Sequence, residues 1–420
     1  MNILFLADNF PPERNAQASL VYERACYWVK WGARVTVITC APNFPEGKVY
    51  PGYRNRWRSV EEVSGIRVVR VKTFIAPNTG KGLRILDYLS FMCAATAAGL
   101  FESQPDVVIA TSPQFFAAVG GWLLAFLRRR PFVMEVRDLW PDSIIAVGAM
   151  KRNLALRWIE KLELFLYRQA AAIVVLTPAF RENLLGRAVP ANKLHVIVSG
   201  VDLTRYSPAP RDHALAATCG LKPGHFVLGY IGTFGMAHGL KNVLETAQTI
   251  TDPDIRFLLV GTGQAREELI AEIEQRRIGN VIIVPAQPKE EIPKFWGLCD
   301  VSLVHLRNTP LFQTVIPSKL FESMAMGLPV LLAAPPGEAS RIVEAEQMGL
   351  WAPAEDPHAL AAACQNLKEN PSVLRRFAEN SLAAAPRYSR EQKSWEMIAV
   401  LNHLCANAHV AAPLATEVQQ

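Results

Sequence analysis

The chain of 420 residues is 50% hydrophobic and 20% charged, which excludes disordered and fibrous classes and suits about two or three domains. Its seven cysteines lie no closer than fourteen positions apart, so there is no C-x-x-C pair, zinc knuckle or disulfide-dense framework, and a reducing cytoplasm is the default. The net charge of +6 is unevenly shared: residues 1–200 hold 25 Lys and Arg against 15 Asp and Glu, and residues 201–420 hold 19 against 23, so the first half is expected to face something anionic.

Met1–Asp8 has no basic n-region and runs into Phe10-Pro11-Pro12, so it reads as a buried strand entering a loop, not a signal peptide. A helix follows near Ser19–Trp31, then strands at Arg34–Thr39 and Ile66–Val71 and a helix over Leu83–Leu100. Next come a strand at Val107–Thr111, a helix over Phe115–Leu127, and strands at Phe132–Val136 and Ile173–Leu176. The apolar stretches Ile85–Phe101 and Val107–Leu127 approach the length of a membrane span. Asp87 interrupts the first and Ser112-Pro113-Gln114 the second, which favours helices and strands of a folded domain.

After His195–Val198 and Ser199-Gly200-Val201-Asp202, the stretch Tyr206-Ser207-Pro208-Ala209-Pro210 marks a crossing between domains. A second alternation places strands at Phe226–Ile231, Arg256–Val260, Val281–Val284, Val301–His305 and Val330–Leu332. Helices at Leu240–Ile250, Arg266–Arg277, Lys289–Leu298 and Lys319–Met326 separate them, and further helices follow from Pro357. Alternation of this kind implies an α/β protein of two Rossmann-like, doubly wound parallel-sheet domains. The expected division is 1–203 and 204–386, with a C-terminal helix over 387–408 rejoining the first domain and a flexible tail at 409–420. Ligands of such sheets bind at the carboxyl ends of strands, and two facing domains would form one cleft there.

The loops after strands therefore hold the candidate chemistry. Gly232-Thr233-Phe234-Gly235 and Gly261-Thr262-Gly263-Gln264-Ala265-Arg266 each link a strand to a helix, where glycines allow close backbone approach and Arg266 could add charge at an anion site. The third glycine of a dinucleotide fingerprint is missing, and Val281–Val284 runs into Pro285 without an acid, which disfavours a nicotinamide dehydrogenase. In Ile316-Pro317-Ser318-Lys319-Leu320-Phe321-Glu322 a helix begins at Pro317-Ser318. Lys319 then stands at its positive end to meet phosphate, and Glu322 a turn on could accept two ribose hydroxyls. Glu135-Val136-Arg137-Asp138-Leu139-Trp140-Pro141-Asp142 sets carboxylates and a guanidinium at a strand end, where an Asp beside an Arg can hydrogen-bond a hydroxyl. In Asn9–Ser19 paired prolines stiffen a strand-to-helix loop that could also bring N–H groups to a ligand.

The segment Pro-Ser-Lys-Leu-Phe-Glu-Ser-Met-Ala-Met-Gly-Leu-Pro-Val (317–330), with Val-Gly-Thr-Gly, Ser-Gly-Val-Asp and the Pro-Pro-Glu loop, resembles the retaining glycosyltransferases of family four, with the GT-B fold. Arg-Asp-Leu-Trp-Pro-Asp (137–142) is similar to the bacterial polysaccharide and O-antigen subgroup, in particular enzymes like the N-acetyl-L-fucosaminyltransferases. The resemblance covers residues 1–405. It implies donor binding by Gly232, Thr233, Gly261, Gly263, Arg266, Ser318, Lys319, Leu320 and Glu322, the last matching the second Glu of the family's Glu, seven residues, Glu motif. Arg137 and Asp138 match the His-Asp position and become the candidate catalytic pair.

Three positions depart from the family pattern. Thr314 stands where the first motif Glu belongs, Thr233 and His238 align with the phosphate-binding Arg and Lys, and Arg137 replaces the His. The resemblance implies a nucleotide diphosphate-sugar donor, UDP-linked, as substrate with no cofactor, and a lipid-linked saccharide acceptor of the polyprenyl diphosphate type. Transfer would proceed with retention at the cytoplasmic face of the inner membrane. Asp252-Pro253-Asp254 formally reads as a metal motif but falls between a helix and a strand start, so no obligatory metal is expected. Arg54, Arg56, Trp57, Arg58, Lys81 and Arg84 interleave cations with aromatics as a peripheral membrane face does. No nucleic-acid module is recognisable. The rival readings are an epimerase of the same fold and a non-catalytic sugar-nucleotide-binding subunit.

Overall fold

The computed structural model describes residues 1–13, 15–75, 81–112, 114–139, 154–405 and 409–410, and divides the chain into two compact units, Met1–Ser199 with the chain from Arg390 onward, and Gly200–Ser389. In the first unit the elements run β1 (Asn2–Leu6), α1 (Ala16–Lys30), β2 (Arg34–Cys40), β3 (Arg58–Val63), β4 (Ile66–Val71), α2 (Lys81–Leu100), β5 (Val107–Thr111) and α3 (Phe115–Arg128). They continue with β6 (Phe132–Val136), α4 (Leu154–Gln169), β7 (Ala172–Val175), α5 (Pro178–Gly186) and β8 (Leu194–Val196). The sheet order is β3-β4-β2-β1-β5-β6-β7-β8, parallel except where β3 pairs antiparallel with β4. That hairpin turns on Ser64 and Gly65, both at positive φ (53° and 76°), a two-residue connection whose twist matches the strands.

In the second unit α6 (His213–Thr218) leads to β9 (Phe226–Ile231), α7 (Leu240–Thr249), β10 (Ile255–Val260), α8 (Arg266–Arg276), β11 (Val281–Val284), α9 (Ile292–Trp296) and β12 (Val301–His305). The unit continues with α10 (Ser318–Met326), β13 (Val330–Ala333), α11 (Glu338–Ala345), β14 (Gly349–Ala352), α12 (Pro357–Glu369) and α13 (Pro371–Ala384). Its six strands are parallel in the order β11-β10-β9-β12-β13-β14. The chain then returns to the first unit as α14 (Arg390–Leu404).

Strands buried on both faces explain why continuous Val, Ile and Leu runs mark them: β5, β6, β7, β9 and β12 are buried at every position. In the first unit alternate side chains of β1, β2 and β5, such as Phe5, Val37 and Ile109, join Trp28 of α1 and Met397, Ile398 and Leu401 of α14 in one core. On the opposite face α2, α3 and α4 lie side by side, α2 against α3 and α3 against α4. A Cβ on Gly99 would meet Leu124 of α3 at 2.3 Å, and one on Gly121 would meet Ala110 at 2.7 Å, so small residues let α2, α3 and the sheet approach closely. The second unit has its own core of Leu228, Tyr230, Phe257, Leu303, Leu331 and Leu360.

The division falls four residues before the expected 203/204 position. Val201 forms a parallel bridge with Ser389 and its N–H donates to Tyr388 O at 2.9 Å, and these contacts tie residues 200–203 to the second unit. The returning helix begins at Arg390, not 387, because Ala385–Tyr388 form a 3-10 turn that stacks Tyr388 on Phe321 at 5.3 Å. At the expected flexible tail, Val410 is instead buried and exchanges two hydrogen bonds of 2.9 Å with the Asn402 side chain. Residues 411–420 lie outside the described residues.

Strand order reverses between β1 and β5 in the first unit and between β9 and β12 in the second. Each reversal opens a crevice at the carboxyl ends of those strands, where a ligand can reach the loops.

Candidate active site

In the second unit β9 ends in Gly232, and a Cβ there would lie 2.6 Å from Lys319 Cε and 2.7 Å from Nζ. Lys319 reaches this spot because α10 begins just outside the β9/β12 crevice, with Pro317 as an N-cap that offers no side-chain acceptor. The residue is 9% exposed, its ammonium sits 4.7 Å over the ring of Tyr230, and among the described residues no carboxylate is within ion-pair distance of it. Burial pulls its pKa down to about 8, against the opposing field of Glu322. Glu322, one turn along, is half-buried.

Tyr230 is fixed in turn, its hydroxyl donating to Thr233 O at 2.7 Å. His238 packs edge-on against the same ring at 5.8 Å. Burial, then the charge of Lys319, pushes His238 down to about 4, so in the unliganded site the imidazole is neutral at neutral pH and brings no charge of the kind a Lys would. His305, at the end of β12, is fully buried and held down to about 4 chiefly by burial. Its Nδ1 lies 2.6 Å from His238 O, and its Nε2 lies 2.8 Å from Asn242 Oδ1. A neutral ring has one N–H, so it donates to only one of these two oxygens; if Nδ1–H serves His238 O, the Asn242 amide has to turn over to give its N–H to Nε2. This His305–Asn242 clamp fixes the turn carrying His238. Sequence reasoning missed it; the signal was a His closing a strand, Val301–His305, that is otherwise apolar but for Ser302.

The two glycine loops are laced together. Gly232 N–H donates to Val260 O (2.9 Å), Phe234 N–H to Thr262 O (2.8 Å) and Ala265 N–H to Phe234 O (2.9 Å). A Cβ on Gly261 would lie 1.9 Å from Gly232 O, and one on Gly263 2.6 Å from Phe234 O. Contact between the loops therefore accounts for these two glycines without a ligand. Arg266 opens α8 with its Nε buried and without a hydrogen-bond partner among the described residues. Thr233 and Ser318 are exposed at the crevice. Leu320 is fully buried and its N–H donates to Pro317 O at 3.1 Å; it packs the helix and has neither side chain nor N–H to offer a donor. Thr314 closes the turn Pro310–Gln313 with its hydroxyl on Leu311 O at 2.8 Å. Asp252 and Asp254 lie on the amino-end side of β10 and share Lys368, whose Nζ is 2.5 Å from Asp252 and 3.6 Å from Asp254.

In the first unit Arg137 and Asp138 follow β6, and their N–H groups donate to Ser112 Oγ at 2.7 and 3.4 Å. Burial raises the Asp138 carboxyl against the pull of Arg137. Arg137 Nη1 is buried without a hydrogen-bond partner among the described residues. Glu135, read from sequence with this pair, is instead fully buried against Arg24 of α1 at 2.6 Å and belongs to the core. Trp140, Pro141 and Asp142 lie outside the described residues. Glu13 of the Pro-Pro-Glu loop pins the chain after β2, accepting the N–H groups of Asn43 and Phe44 at 2.7 and 2.9 Å. Asp8 accepts from Gln17 Nε2 at 3.0 Å, and burial followed by the charge of Asp8 raises Asp87 to about 7. That carboxyl within an apolar helix was read from sequence only as an argument against a span.

Comparison with known proteins gives two family matches: residues 17–200 match "Glycosyl transferase 4-like domain" and residues 217–383 match "Glycosyl transferases group 1". The chain is 24% identical over 394 residues to the putative colanic acid biosynthesis glycosyl transferase WcaI of Escherichia coli K12, covering 91% of this chain and 96% of that protein. It is 25% identical over 299 residues to the probable glycosyltransferase WbjE of Pseudomonas aeruginosa, covering 70% and 72%. Among solved structures, the sucrose-phosphate synthase of Thermosynechococcus elongatus superposes with a TM-score of 0.78 at 19% identity, covering 97% of this chain and all of that one. Anabaena Alr3699/HepE, solved in complex with UDP, gives 0.71 at 20% identity, covering 96% and 100%.

Proposed function

The chain is a group 1 glycosyltransferase with the GT-B fold, and from that premise we propose that it moves a sugar from a UDP-linked donor to a lipid-linked saccharide in bacterial surface-polysaccharide synthesis. The sugar would be an N-acetylated hexosamine or deoxyhexosamine, carried by the second unit and delivered to an acceptor held by the first. The relatives named for colanic acid synthesis and as a glycosyltransferase support the pathway class, and the neighbour solved with UDP supports the nucleotide.

One observation carries the reading: Lys319 is a buried ammonium at the β9/β12 crevice with no carboxylate in ion-pair range among the described residues. A cation desolvated without an anion is unfavourable, and an arriving diphosphate offsets that cost. The unpaired N–H groups at the start of α10 point the same way. Glu322, one turn on, is spaced to accept ribose hydroxyls. Charge developing on the departing diphosphate is stabilised by Lys319 and the helix start, which substitute for a metal. The acceptor hydroxyl attacks from the face the leaving group vacates and gives its proton to the departing phosphate oxygen, so configuration is retained with no enzymic nucleophile. Arg137 and Asp138 orient sugar or acceptor hydroxyls. A lipid-linked acceptor places the protein on the cytoplasmic face of the inner membrane, in keeping with the cation excess of residues 1–200.

The test is nucleoside diphosphate release from a panel of nucleotide sugars, with and without polyprenyl-diphosphate-linked GlcNAc. Release that needs both one donor and the lipid acceptor is expected. Release from donor alone would instead assign an epimerase or hydrolase, consistent with Thr314 in place of an acid, and tight UDP binding without release from any pair would assign a binding subunit.

A further inference from the structure

Helix α2 wears its apolar side outward. Phe91, Ala95 and Ala98 are buried, and the helix packs on β2, β4 and α3, so it is a fixed layer of the first unit even though Leu83–Leu100 is apolar enough to span a bilayer. The opposite side runs Leu83, Leu86, Cys93, Ala97 and Leu100, all exposed, and ends on Phe101, which is 82% exposed. These positions follow one another at helical spacings of three, four and seven, and no charged residue follows Asp87 in the helix. A helix that faces water carries polar residues on that side.

The neighbouring helix extends the surface. Phe126 (67% exposed) and Leu127 (50%) close α3, and exposed Arg129 and Arg130 follow. The Arg128 guanidinium donates to Leu100 O at 3.1 Å and Glu102 O at 2.5 Å, which fixes the ends of α2 and α3 beside each other. Arg84 stands exposed near the other end of α2. By contrast Arg58, one of the cations read from sequence as a membrane face, is committed to Glu102 at 2.5 Å.

We propose that this α2–α3 face is the surface by which the first unit docks on an anionic bilayer, with α2 lying in the interface plane. Leu83, Leu86, Leu100, Phe101, Phe126 and Leu127 would enter the acyl boundary, while Arg84, Arg129 and Arg130 meet lipid phosphates. A 20-residue helix is about 30 Å long, so cations at both ends hold it flat. Charge selects lipid over a second copy of the chain: the exposed charges named at the two ends of this face, Arg84 and Arg129 with Arg130, are all cationic, so a second copy of the face offers them no anionic partner, whereas anionic headgroups complement them. The inference rests on the membrane-acting reading above and names its surface.

The test is flotation of the full chain with vesicles of phosphatidylglycerol and phosphatidylethanolamine, against phosphatidylcholine alone, at low and high salt. The wild type is expected to float with the anionic vesicles, and L86S/L100S/F101S to lower the bound fraction at least tenfold. R129E/R130E should do the same at low salt, and R54E/R56E should have little effect. UDP affinity, measured on each variant, is expected to stay at the wild-type value, since none of these residues lies in the donor crevice. The proposal is overturned if L86S/L100S/F101S floats like the wild type, if the wild type ignores anionic vesicles, or if sedimentation velocity shows a dimer that the same substitutions dissolve. Failure of transfer by the wild type to any acceptor would count against the enzymatic reading alone, because vesicle binding is read separately.

Discussion

Burial holds the Lys319 pKa at about 8, well below the ordinary lysine value, and this has opposite consequences for binding and for stability. An anionic diphosphate binds the ammonium form. Affinity should therefore be flat below pH 8 and fall up to tenfold per unit above it, with proton uptake on binding near pH 8. Stability runs the other way: with the folded pKa below the unfolded one, the unfolded chain holds more protons between about 8 and 10.5, so unliganded stability rises with pH across that window. Lys319→Met removes both effects. It is expected to raise the UDP Kd by ten- to a hundredfold, roughly the worth of a hydrogen bond to a charged group, and to abolish the decline above pH 8. It should also raise the Tm of the unliganded protein. Calorimetry at pH 7 and 9 checks all three, and unchanged affinity together with a lowered Tm would make Lys319 a structural residue. The sequence placed this lysine at a helix start but could not show that its partner is an aromatic face, because Tyr230 lies 89 positions earlier and reads as one more strand residue.

The loops and helices that build the crevice were legible in proportion to their burial. Strands such as Val107–Thr111 and Phe226–Ile231 coincide with their apolar runs because every position is buried. Arg58–Val63 was missed because an edge strand alternating exposed and half-buried residues leaves no such run, and Gly349–Ala352 was missed because only Ala352 of its four residues is buried and its sequence, Gly-Leu-Trp-Ala, carries no β-branched run. The glycines were found, but the sequence could not show that Gly261 and Gly263 are also required by close contact with Gly232 and Phe234 of the other loop. Gly232 differs, since its missing side chain makes room for Lys319. Gly232→Ala, at φ +148°, is thus expected to displace the ammonium and weaken UDP at least tenfold, and a Gly232→Ala/Lys319→Met double variant should bind no worse than Lys319→Met alone. Titration of the four proteins with UDP checks this, and additive losses would separate the two positions. In the first unit the Arg24–Glu135 pair joins α1 to β6 in full burial. Glu135→Gln leaves a buried guanidinium uncompensated and should cost about 3 kcal/mol in denaturant unfolding, whereas a ligand-contacting role would spare stability.

At the scale of the whole chain the alternation of strands and helices was enough to foresee two doubly wound units, whereas the return of the last helix leaves no mark in that alternation. The exact seams were not legible, because they depend on single backbone bonds such as Val201 N–H to Tyr388 O. The return matters physically because α14 completes the core of the first unit. Met397, Ile398 and Leu401 are fully buried in the same cluster as Phe5, Val37 and Trp28, and the Trp28 indole donates to Ser394 O at 3.1 Å. Removing the chain after Ser389 would uncover that face of the sheet, a loss of several large side chains' burial at about 1.5–3 kcal/mol each, comparable to the stability of a whole domain. The second unit keeps its separate core of Leu228, Tyr230, Phe257 and Leu303. Hydrogen exchange on the truncated chain is therefore expected to show β1, β2 and β5 unprotected while β9, β10 and β12 retain protection, and UDP binding should survive. Preserved protection in β1 would show that α14 only covers the first unit, and loss in β9 as well would show that the second unit cannot hold its donor crevice alone.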